Sequence, residues 1–427
     1  MPIILFCIFL ILLTLNIWSE FVPGSNYTDE FTTILALALC IFGKKNHDKD
    51  KFGKWIIFSI SGILLLGVLS TIKYHIQPEF AGVWRDALAI SKFPICYCAF
   101  SRFVSNKTKK SISHLAFVFC KYYLAIVGIF SIINLMVDIP AMYNGYRYGF
   151  PLYKFLYHHA TFMVSSVICA MGVVASHGNM KNMKLLLWGA TAIVLSFRSK
   201  PILALVFLVI ILIAKFVMGI KHIKLISLRM VLVFVTAITI TLFLAESRIN
   251  KYVENAEEAV RGAMYIHGTE IANEKFPLGS GFCTFASTLS YTYYSPLYHE
   301  YGMDRLWGLE EGGGEHGNYS GDTYWPNIYA QYGYIGLGIY LAMLIFVYFT
   351  LNRKFVMLSD KWIAAMFLYV YIIAACFAES FLTNDTSVLY ALALSVILGQ
   401  PNKRRHHSLI RKQKDGTHTK FKLNHDR

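Results

Sequence analysis

The sequence predicts an all-α polytopic membrane protein, and three observations point to this fold class. Hydrophobic residues make up 56% of the 427 positions and charged residues only 15%, which is too apolar for an ordinary soluble domain. Apolar runs near the length of about 20 residues that crosses a bilayer as a helix recur along the chain. Basic residues gather in every second connection between these runs, a pattern typical of a chain that crosses the membrane repeatedly.

The apolar runs predict about twelve transmembrane helices. They lie near residues 2–18, 29–43, 54–72, 84–101, 114–136, 158–176, 184–197, 200–219, 227–245, 327–350, 361–378 and 386–399. The first run lacks a basic segment before it and a small-residue cleavage site after it. We therefore interpret it as an anchor and not as a signal peptide.

The basic residues also predict how the chain is oriented. Segments rich in Lys and Arg follow the second, fourth, sixth, eighth and tenth runs, and a further basic segment forms the tail at residues 400–427. The positive-inside rule places these segments in the cytoplasm, so both termini are expected there. The net charge of +15 then indicates contact with the phospholipid headgroups of the bilayer and not binding of nucleic acid.

One connection on the predicted outer side is much longer than the others and lies at residues 246–326. Loops of this length without secondary structure are uncommon, so we expect it to fold partly as helices over the outer end of the bundle. The chain is thereby divided into four parts: helices one to nine at 1–245, this outer segment at 246–326, helices ten to twelve at 327–399, and the cytoplasmic tail at 400–427.

The outer segment is dense in aromatic residues that alternate with charged ones. Tyr and Trp at this density are typical of the aromatic belt at a membrane surface. They also suit a carbohydrate site, in which flat rings stack on sugar faces and carboxylates bind hydroxyl groups. The many acidic residues among the rings favour the carbohydrate site. The candidate sugar-binding residues are Tyr298, Tyr319, Tyr324 and Trp325.

Basic residues on the predicted outer side form a second candidate site. Arg198 and Lys200 occupy the very short connection between the seventh and eighth runs, at a depth where an unpaired charge is costly. Snorkelling to the interface would explain them. The alternative is a site for a lipid-linked phosphate, which suits the planar, permanently charged guanidinium of Arg. Arg261 and Arg147 are further candidates for this phosphate site.

These motifs follow one another in a fixed order: "SFRSKP", "RGAMYIHGTEIANEKFPLGSGFCTFAS", "SPLYHEYG" and "DTYWPNIYAQYGYIG". In this order the chain resembles the O-antigen polymerase and O-antigen ligase superfamily of bacterial surface polysaccharide assembly, particularly its polymerase branch. The resemblance covers residues 196–336 most strongly, and the hydropathy profile supports it over the whole chain.

The resemblance implies both a fold and an activity. It implies a GT-C-like membrane glycosyltransferase that works at the outer face of the bacterial inner membrane on undecaprenyl-diphosphate-linked glycans. A polymerase transfers the growing chain to a fresh repeat unit, whereas a ligase transfers it to lipid A-core. A chain-length regulator and a flippase are the partners that the resemblance implies. Arg198 and Arg261 match the two arginines of the family.

The acceptor hydroxyl is weakly acidic, so a general base would assist its attack. Many relatives carry His-Asn at the positions that Asp322 and Thr323 occupy here, and His316 lies six residues before Asp322. The sequence therefore leaves Asp322 and His316 as candidates. Asp322 would also suit the N-cap of the tenth helix, a role compatible with catalysis, and His316 could equally be a surface loop residue.

Neither a cofactor nor a metal is expected. The chain contains no phosphate-binding glycine loop, dinucleotide fingerprint or His-Glu-x-x-His motif, and cations at the diphosphate would stabilise the leaving group without a metal. A lipid-linked oligosaccharide flippase or another transporter is the alternative class of protein. A transporter should carry polar and charged residues near the middle of several spans, whereas Lys121 is one of few deep charges here, which favours the enzyme.

Overall fold

The computed structural model describes residues 2–19, 21–43, 53–147, 149–178, 180–216, 259–312 and 318–399. The ninth apolar run, the outer segment before residue 259, His316 and the basic tail lie outside these residues. The described chain is mostly helical. Its helices are α1 Pro2–Trp18, α2 Thr28–Phe42, α3 Gly53–Tyr74, α4 Phe80–Phe103, α5 Asn106–Val137, α6 Ala160–Ala175, α7 Met180–Leu195, α8 Ser199–Phe216, α9 Val260–Glu274, α10 Thr288–Thr292, α11 Pro296–Glu300, α12 Trp325–Lys354, α13 Asp360–Ala375 and α14 Asp385–Leu392.

Each predicted apolar run within the described residues coincides with one of these helices. Among them, α3, α5 and α12 are long and apolar enough to cross a membrane. Shorter apolar helices cover Pro2–Trp18, Ala160–Ala175, Lys184–Leu195, Ser199–Ile213 and Asp385–Ile397. The length and composition of these helices therefore suggest a membrane protein.

Exposed apolar side chains on α3 agree with a lipid environment. Phe58, Leu65 and Ile72 are 70%, 59% and 61% exposed and follow one another at intervals of seven residues. This spacing places them on one face of the helix. A water-soluble helix would carry polar residues on its exposed face, so this stripe suits contact with lipid.

The helices begin and end where local chemistry favours it, as α5 shows. Ser105 is its N-cap, and the side-chain hydroxyl accepts a hydrogen bond from the Thr108 N–H at 3.2 Å, which satisfies one of the free donors of the first turn. The helix ends at Asp138, which adopts the left-handed conformation with φ 51°. Within the bundle, α3 packs on α12, α5 on α7, α2 on α4, and α8 on α13.

The connections that the sequence analysis assigns to the outer side meet at one end of the bundle. The Ser380 N–H, between α13 and α14, donates to the Gly321 carbonyl at 2.8 Å. The Asn16 side chain, near the end of α1, donates to Asp385 at 2.8 Å. This end of the bundle therefore gathers polar side chains from connections that are far apart in the sequence.

Helix α12 is broken in the region where the outer segment packs on it. Gly333 has φ 67° and ψ 179°, so the helical hydrogen bonding is interrupted there. The Ser280 N–H donates to the carbonyl of Ala330 at 2.8 Å and compensates for part of this loss. A Cβ atom on Gly279 would lie 2.4 Å from the Gly333 nitrogen, so this close approach of two backbones requires glycine.

The described part of the outer segment has an apolar core of its own. Helix α9 packs on α12, and the short helices α10 and α11 follow it in the chain. Fully buried members of this core are Ala263, Met264, Ile271, Phe285, Tyr298, Met303 and Leu309. The segment is thus folded and fixed to the outer half of α12.

Two buried charged residues, Lys92 and Asp29, lie between α2 and α4 together with the partly buried Glu30. The Lys92 Nζ atom is 2.5 Å from Asp29 Oδ2 and 3.0 Å from Glu30 Oε1. The two acids belong to the first turn of α2 and not to a loop. We call these three residues the Lys92 cluster.

Candidate functional site

The connection between α7 and α8 is as short as the sequence predicts, since it comprises residues 196–198. Phe197 adopts a left-handed conformation with φ 51°, which turns the chain back at once. The Arg198 Nη2 atom donates to His159 Nε2 at 2.9 Å. Its Nε atom is buried and has no hydrogen-bond partner among the described residues, so the guanidinium retains a donor that this part of the chain does not satisfy.

His159 is the N-cap of α6, and its Nδ1 atom lies 3.0 Å from Thr161 Oγ1, to which it donates in the tautomer whose Nε2 accepts from Arg198. Burial, together with the nearby charge of Arg198, lowers the pKa of His159 from 6.5 to about 4. The imidazole is therefore neutral near pH 7, which allows Nε2 to accept the hydrogen bond from Arg198. Burial also lowers the pKa of the Arg198 guanidinium from its ordinary value.

A β-hairpin brings a second arginine to the same connection. Strands β1, Tyr143–Arg147, and β2, Phe150–Tyr153, pair antiparallel between α5 and α6. The Arg147 Nη1 atom donates to the Phe197 carbonyl at 3.0 Å. The rings of Phe150 and Phe197 stack with their centroids 6.0 Å apart, which fixes the hairpin against the turn.

Lys200, in the first turn of α8, is held by the connection between α13 and α14. Its Nζ atom lies 2.5 Å from Glu379 Oε1 and donates to the Ala378 carbonyl at 2.6 Å. Burial raises the pKa of the Glu379 carboxyl, and the charge of Lys200 opposes this shift. Lys200 therefore has a counterion.

Arg261, near the start of α9, pairs with Asp322. The distance from Arg261 Nη2 to Asp322 Oδ2 is 2.5 Å, and the two side chains are 36% and 33% exposed. Asp322 belongs to a short 3₁₀ turn, Ser320–Asp322, and the N-cap of α12 is Tyr324, which makes no side-chain capping bond. The prediction that Asp322 caps this helix is therefore wrong, because its carboxylate binds Arg261 two residues before the cap position.

The structure brings the four candidate cations together, and we call them the cation cluster: Arg147, Arg198, Lys200 and Arg261. Asp322 and Glu379 are the carboxylates that interact electrostatically with both Arg198 and Lys200. With all six groups ionised, these four cations and two carboxylates carry a net charge of about +2. This charge is opposite in sign to that of a diphosphate group, so the two would attract each other.

The structure corrects part of the proposed set of sugar-binding rings. Tyr298 and Tyr324 are both completely buried, and Tyr324 packs on Trp325 and Tyr340. Neither ring can stack on a sugar, so the prediction is wrong for these two residues. Trp325 is partly buried and packs edge-on against Phe377. Tyr319 is 37% exposed.

Two residues at the site were missed by sequence reasoning, His159 and Glu379. Glu379 directly follows the predicted run 361–378 and His159 is the second residue of the predicted run 158–176, both at ends that the charge pattern assigns to the outer side. The charge pattern could have identified them, because polar residues that lie at the same end of a helix bundle are close to one another in space. His316 lies outside the described residues, so its relation to the site stays a prediction.

Within the described residues, no group of three or more His, Cys, Asp or Glu side chains is arranged to hold a metal ion. Comparison of the chain with protein-family models and with curated proteins finds no match. The functional argument therefore rests on the residues of the site and on their geometry.

Proposed function

We propose that the protein is a membrane glycosyltransferase that polymerises undecaprenyl-diphosphate-linked oligosaccharide repeat units into O-antigen, capsular or exopolysaccharide at the outer face of the bacterial inner membrane. The cation cluster is the observation that carries this proposal. Its side chains come from three separate parts of the chain and meet at one end of an apolar bundle. A substrate with a lipid tail and a diphosphate headgroup would place the tail in the bilayer and the headgroup at such a cluster.

The reaction breaks the bond between the anomeric carbon of the donor sugar and a diphosphate oxygen. A hydroxyl oxygen of the acceptor sugar forms the new bond to that carbon, and the lipid diphosphate leaves with the electron pair of the broken bond. Negative charge therefore grows on the diphosphate in the transition state. Arg198 and Arg261 stabilise this charge, and Arg198 offers the buried Nε–H that has no partner in the part of the chain that the structure describes.

Asp322 is the candidate base for the proton of the acceptor hydroxyl. Its Oδ2 atom is held by Arg261, so this oxygen is engaged and does not face the acceptor hydroxyl alone. When a diphosphate binds, Arg261 exchanges its carboxylate partner for the phosphate oxygens, which frees Asp322 to take the proton. Binding of the donor and activation of the acceptor are coupled in this way through one side chain.

Replacement of Arg261 in a strain that lacks the native protein tests this role. Arg261→Ala should abolish long surface glycan chains, and Arg261→Lys should restore only part of them because an ammonium lacks the bidentate fork. Arg305→Ala is the matched control, since Arg305 is an exposed arginine of the same outer segment. Normal chain lengths in the Arg261→Ala strain would contradict the proposed role of this residue.

The Lys92 cluster is the observation that favours a transporter of lipid-linked oligosaccharides as the second candidate. Buried charges within a bundle commonly mark a transport path. In this cluster, however, the ammonium is paired with two carboxylates and only 7% of the Lys92 side chain is exposed. In vesicles that contain the purified protein, a transporter would move intact repeat units across the membrane without lengthening them. A ligase would need lipid A-core as its acceptor.

A further inference from the structure

Two exposed aromatic rings lie side by side in the outer segment. Trp307 and Tyr319 are 60% and 37% exposed, and their ring centroids are 6.3 Å apart with the planes inclined at 50°. Other rings of this segment, such as those of Phe285 and Tyr298, are buried in its core. We call Trp307 and Tyr319 the aromatic platform.

The backbone fixes the position of the platform. The Tyr319 N–H donates to the Gly308 carbonyl at 3.1 Å, which ties the two chain segments together. Gly308 has φ 86°, and a Cβ atom there would lie 2.0 Å from Tyr319 Cδ2. The ring of Tyr319 thus lies directly against the backbone of the residue that follows Trp307, in a place that only glycine leaves open.

One tight turn joins the platform to the cation cluster. The Asp322 N–H donates to the Tyr319 carbonyl at 3.1 Å, and Asp322 binds Arg261 at 2.5 Å. A 3₁₀ turn rises about 2 Å per residue, so the backbones of Tyr319 and Asp322 are about 6 Å apart along the turn. The backbone of Tyr319 therefore lies within one turn of the candidate base.

The surroundings of the platform favour a sugar over a membrane surface. Glu310 lies beside Trp307, because its Oε2 atom accepts from the Gly308 N–H at 2.6 Å, and Asp304 and Glu311 both contact the His299 ring. Carboxylates are repelled by anionic lipid headgroups. Carboxylates are suited to bind the hydroxyl groups of a sugar whose face lies on an aromatic ring. The chemistry of this surface thus fits a glycan.

We propose that the aromatic platform binds a sugar ring of the acceptor glycan and so presents an acceptor hydroxyl to Asp322. This inference rests on the proposed function, because it assigns the second substrate of the same reaction. The donor diphosphate fills the cation cluster, which leaves the platform for the acceptor. The platform then determines which glycan is extended, while the cluster recognises the lipid diphosphate that donors have in common.

Binding of a lipid-free oligosaccharide tests the platform apart from catalysis. The probe is the repeat-unit oligosaccharide released by mild acid from lipid-linked intermediates of the cells that make the protein, and it is titrated against the full chain in lipid nanodiscs. Trp307→Ala should weaken binding about five- to ten-fold, the effect of losing one stacked ring. Trp84→Ala is the matched control, because Trp84 on α4 is 59% exposed but outside the platform.

The outcomes separate this inference from the proposed function. Unchanged affinity of Trp307→Ala, or no binding by the wild-type chain, would overturn the platform. Loss of attachment to anionic vesicles by Trp307→Ala, with oligosaccharide affinity unchanged, would assign the rings to the membrane surface and overturn it as well. If the Trp307→Ala variant elongates chains with the wild-type KM for the acceptor, the platform is refuted and the polymerase is not. If the wild-type chain binds the oligosaccharide but does not elongate it, the polymerase is refuted and the glycan site remains.

Discussion

The Lys92 cluster and the cation cluster are two groups of charged side chains with opposite properties. In the Lys92 cluster, the side chains of Lys92 and Asp29 are only 7% and 5% exposed, and the carboxylates outnumber the ammonium group. In the cation cluster, Arg261 and its partner Asp322 are 36% and 33% exposed, and the cations outnumber the carboxylates.

This difference shows how a membrane protein uses charge in two ways. Charges that are closed off and paired hold helices together, as Lys92 does between α2 and α4. In the cation cluster, one ion pair is accessible and the cations repel one another, so the folded state gains little from them unless a ligand of opposite sign binds. An accessible ion pair beside an excess of cations, and not charge alone, marks the cation cluster as the candidate site.

The largest expected effect is on stability and concerns the closed cluster. Lys92→Met leaves two carboxylates buried without their ammonium, so the free energy of unfolding should fall by about 3–5 kcal/mol. Thermal unfolding of the purified protein measures this change. Lys121→Met, at an exposed position of α5, is the control and should unfold like the wild type. If Lys92→Met and Lys121→Met were equally stable, the Lys92 cluster would not be a structural ion pair, and the contrast with the cation cluster would be wrong.

The next effect concerns turnover and the open cluster. Arg198→Ala should lower kcat about 10²- to 10³-fold, the loss expected when one preorganised donor to the leaving group is removed. The thermal unfolding temperature should change little, because Arg198 is not part of a closed ion pair. Arg85→Ala, at an exposed arginine of α4, should retain wild-type turnover. If Arg198→Ala lowered the stability strongly without a specific loss of kcat, Arg198 would have a structural role like that of Lys92.

A smaller effect should follow from changing the charge balance of the cation cluster. Glu379→Gln removes the counterion of Lys200 and adds to the excess positive charge, so the KM for lipid-linked donor should fall about five-fold. Lys200→Met removes a cation and should raise this KM. Steady-state kinetics at varied donor concentration measure both values. The same direction of change in both variants would show that charge balance does not govern binding.

The smallest effect concerns the pH dependence of stability at His159. Its pKa is about 4 in the folded protein, against 6.5 ordinarily, so the unfolded chain takes up the proton first as the pH falls. The stability due to neutral His159 is therefore full above pH 6.5 and is lost between pH 6.5 and pH 4. His159→Gln keeps an acceptor for Arg198 without titrating, so its unfolding temperature should fall less than that of the wild type between pH 7 and pH 5. Parallel falls would contradict this role for His159.

Sequence patterns located the helices and one half of the site. The apolar runs marked the helices because bilayer and core contacts select for them directly, and the short turn with Arg198 and Lys200 followed from the same runs. The pairing of Arg261 with Asp322 did not follow. It depends on how the outer segment folds back on α12, which no local pattern specifies, and the sequence suggested only a general base or a helix cap as roles of Asp322.

The aromatic residues also show that a local sequence pattern does not specify tertiary contacts. Tyr319 and Tyr324 stand five residues apart and look alike in the sequence, yet Tyr319 is exposed and Tyr324 is completely buried. Which ring faces outward depends on packing against residues far along the chain, such as Tyr340 for Tyr324 and Gly308 for Tyr319. Composition therefore indicated a site rich in aromatic residues without indicating which of its rings are accessible.

The central claim is that the cation cluster binds a lipid-linked diphosphate so that its glycan can be transferred to another repeat unit. The most direct test incubates the purified full chain in proteoliposomes with undecaprenyl-diphosphate-linked repeat units as the sole substrate and resolves the products by size. A ladder of products that differ by one repeat unit, absent with Arg198→Ala, is the predicted result. Repeat units that remain unlengthened in the presence of well-folded wild-type protein would contradict the account.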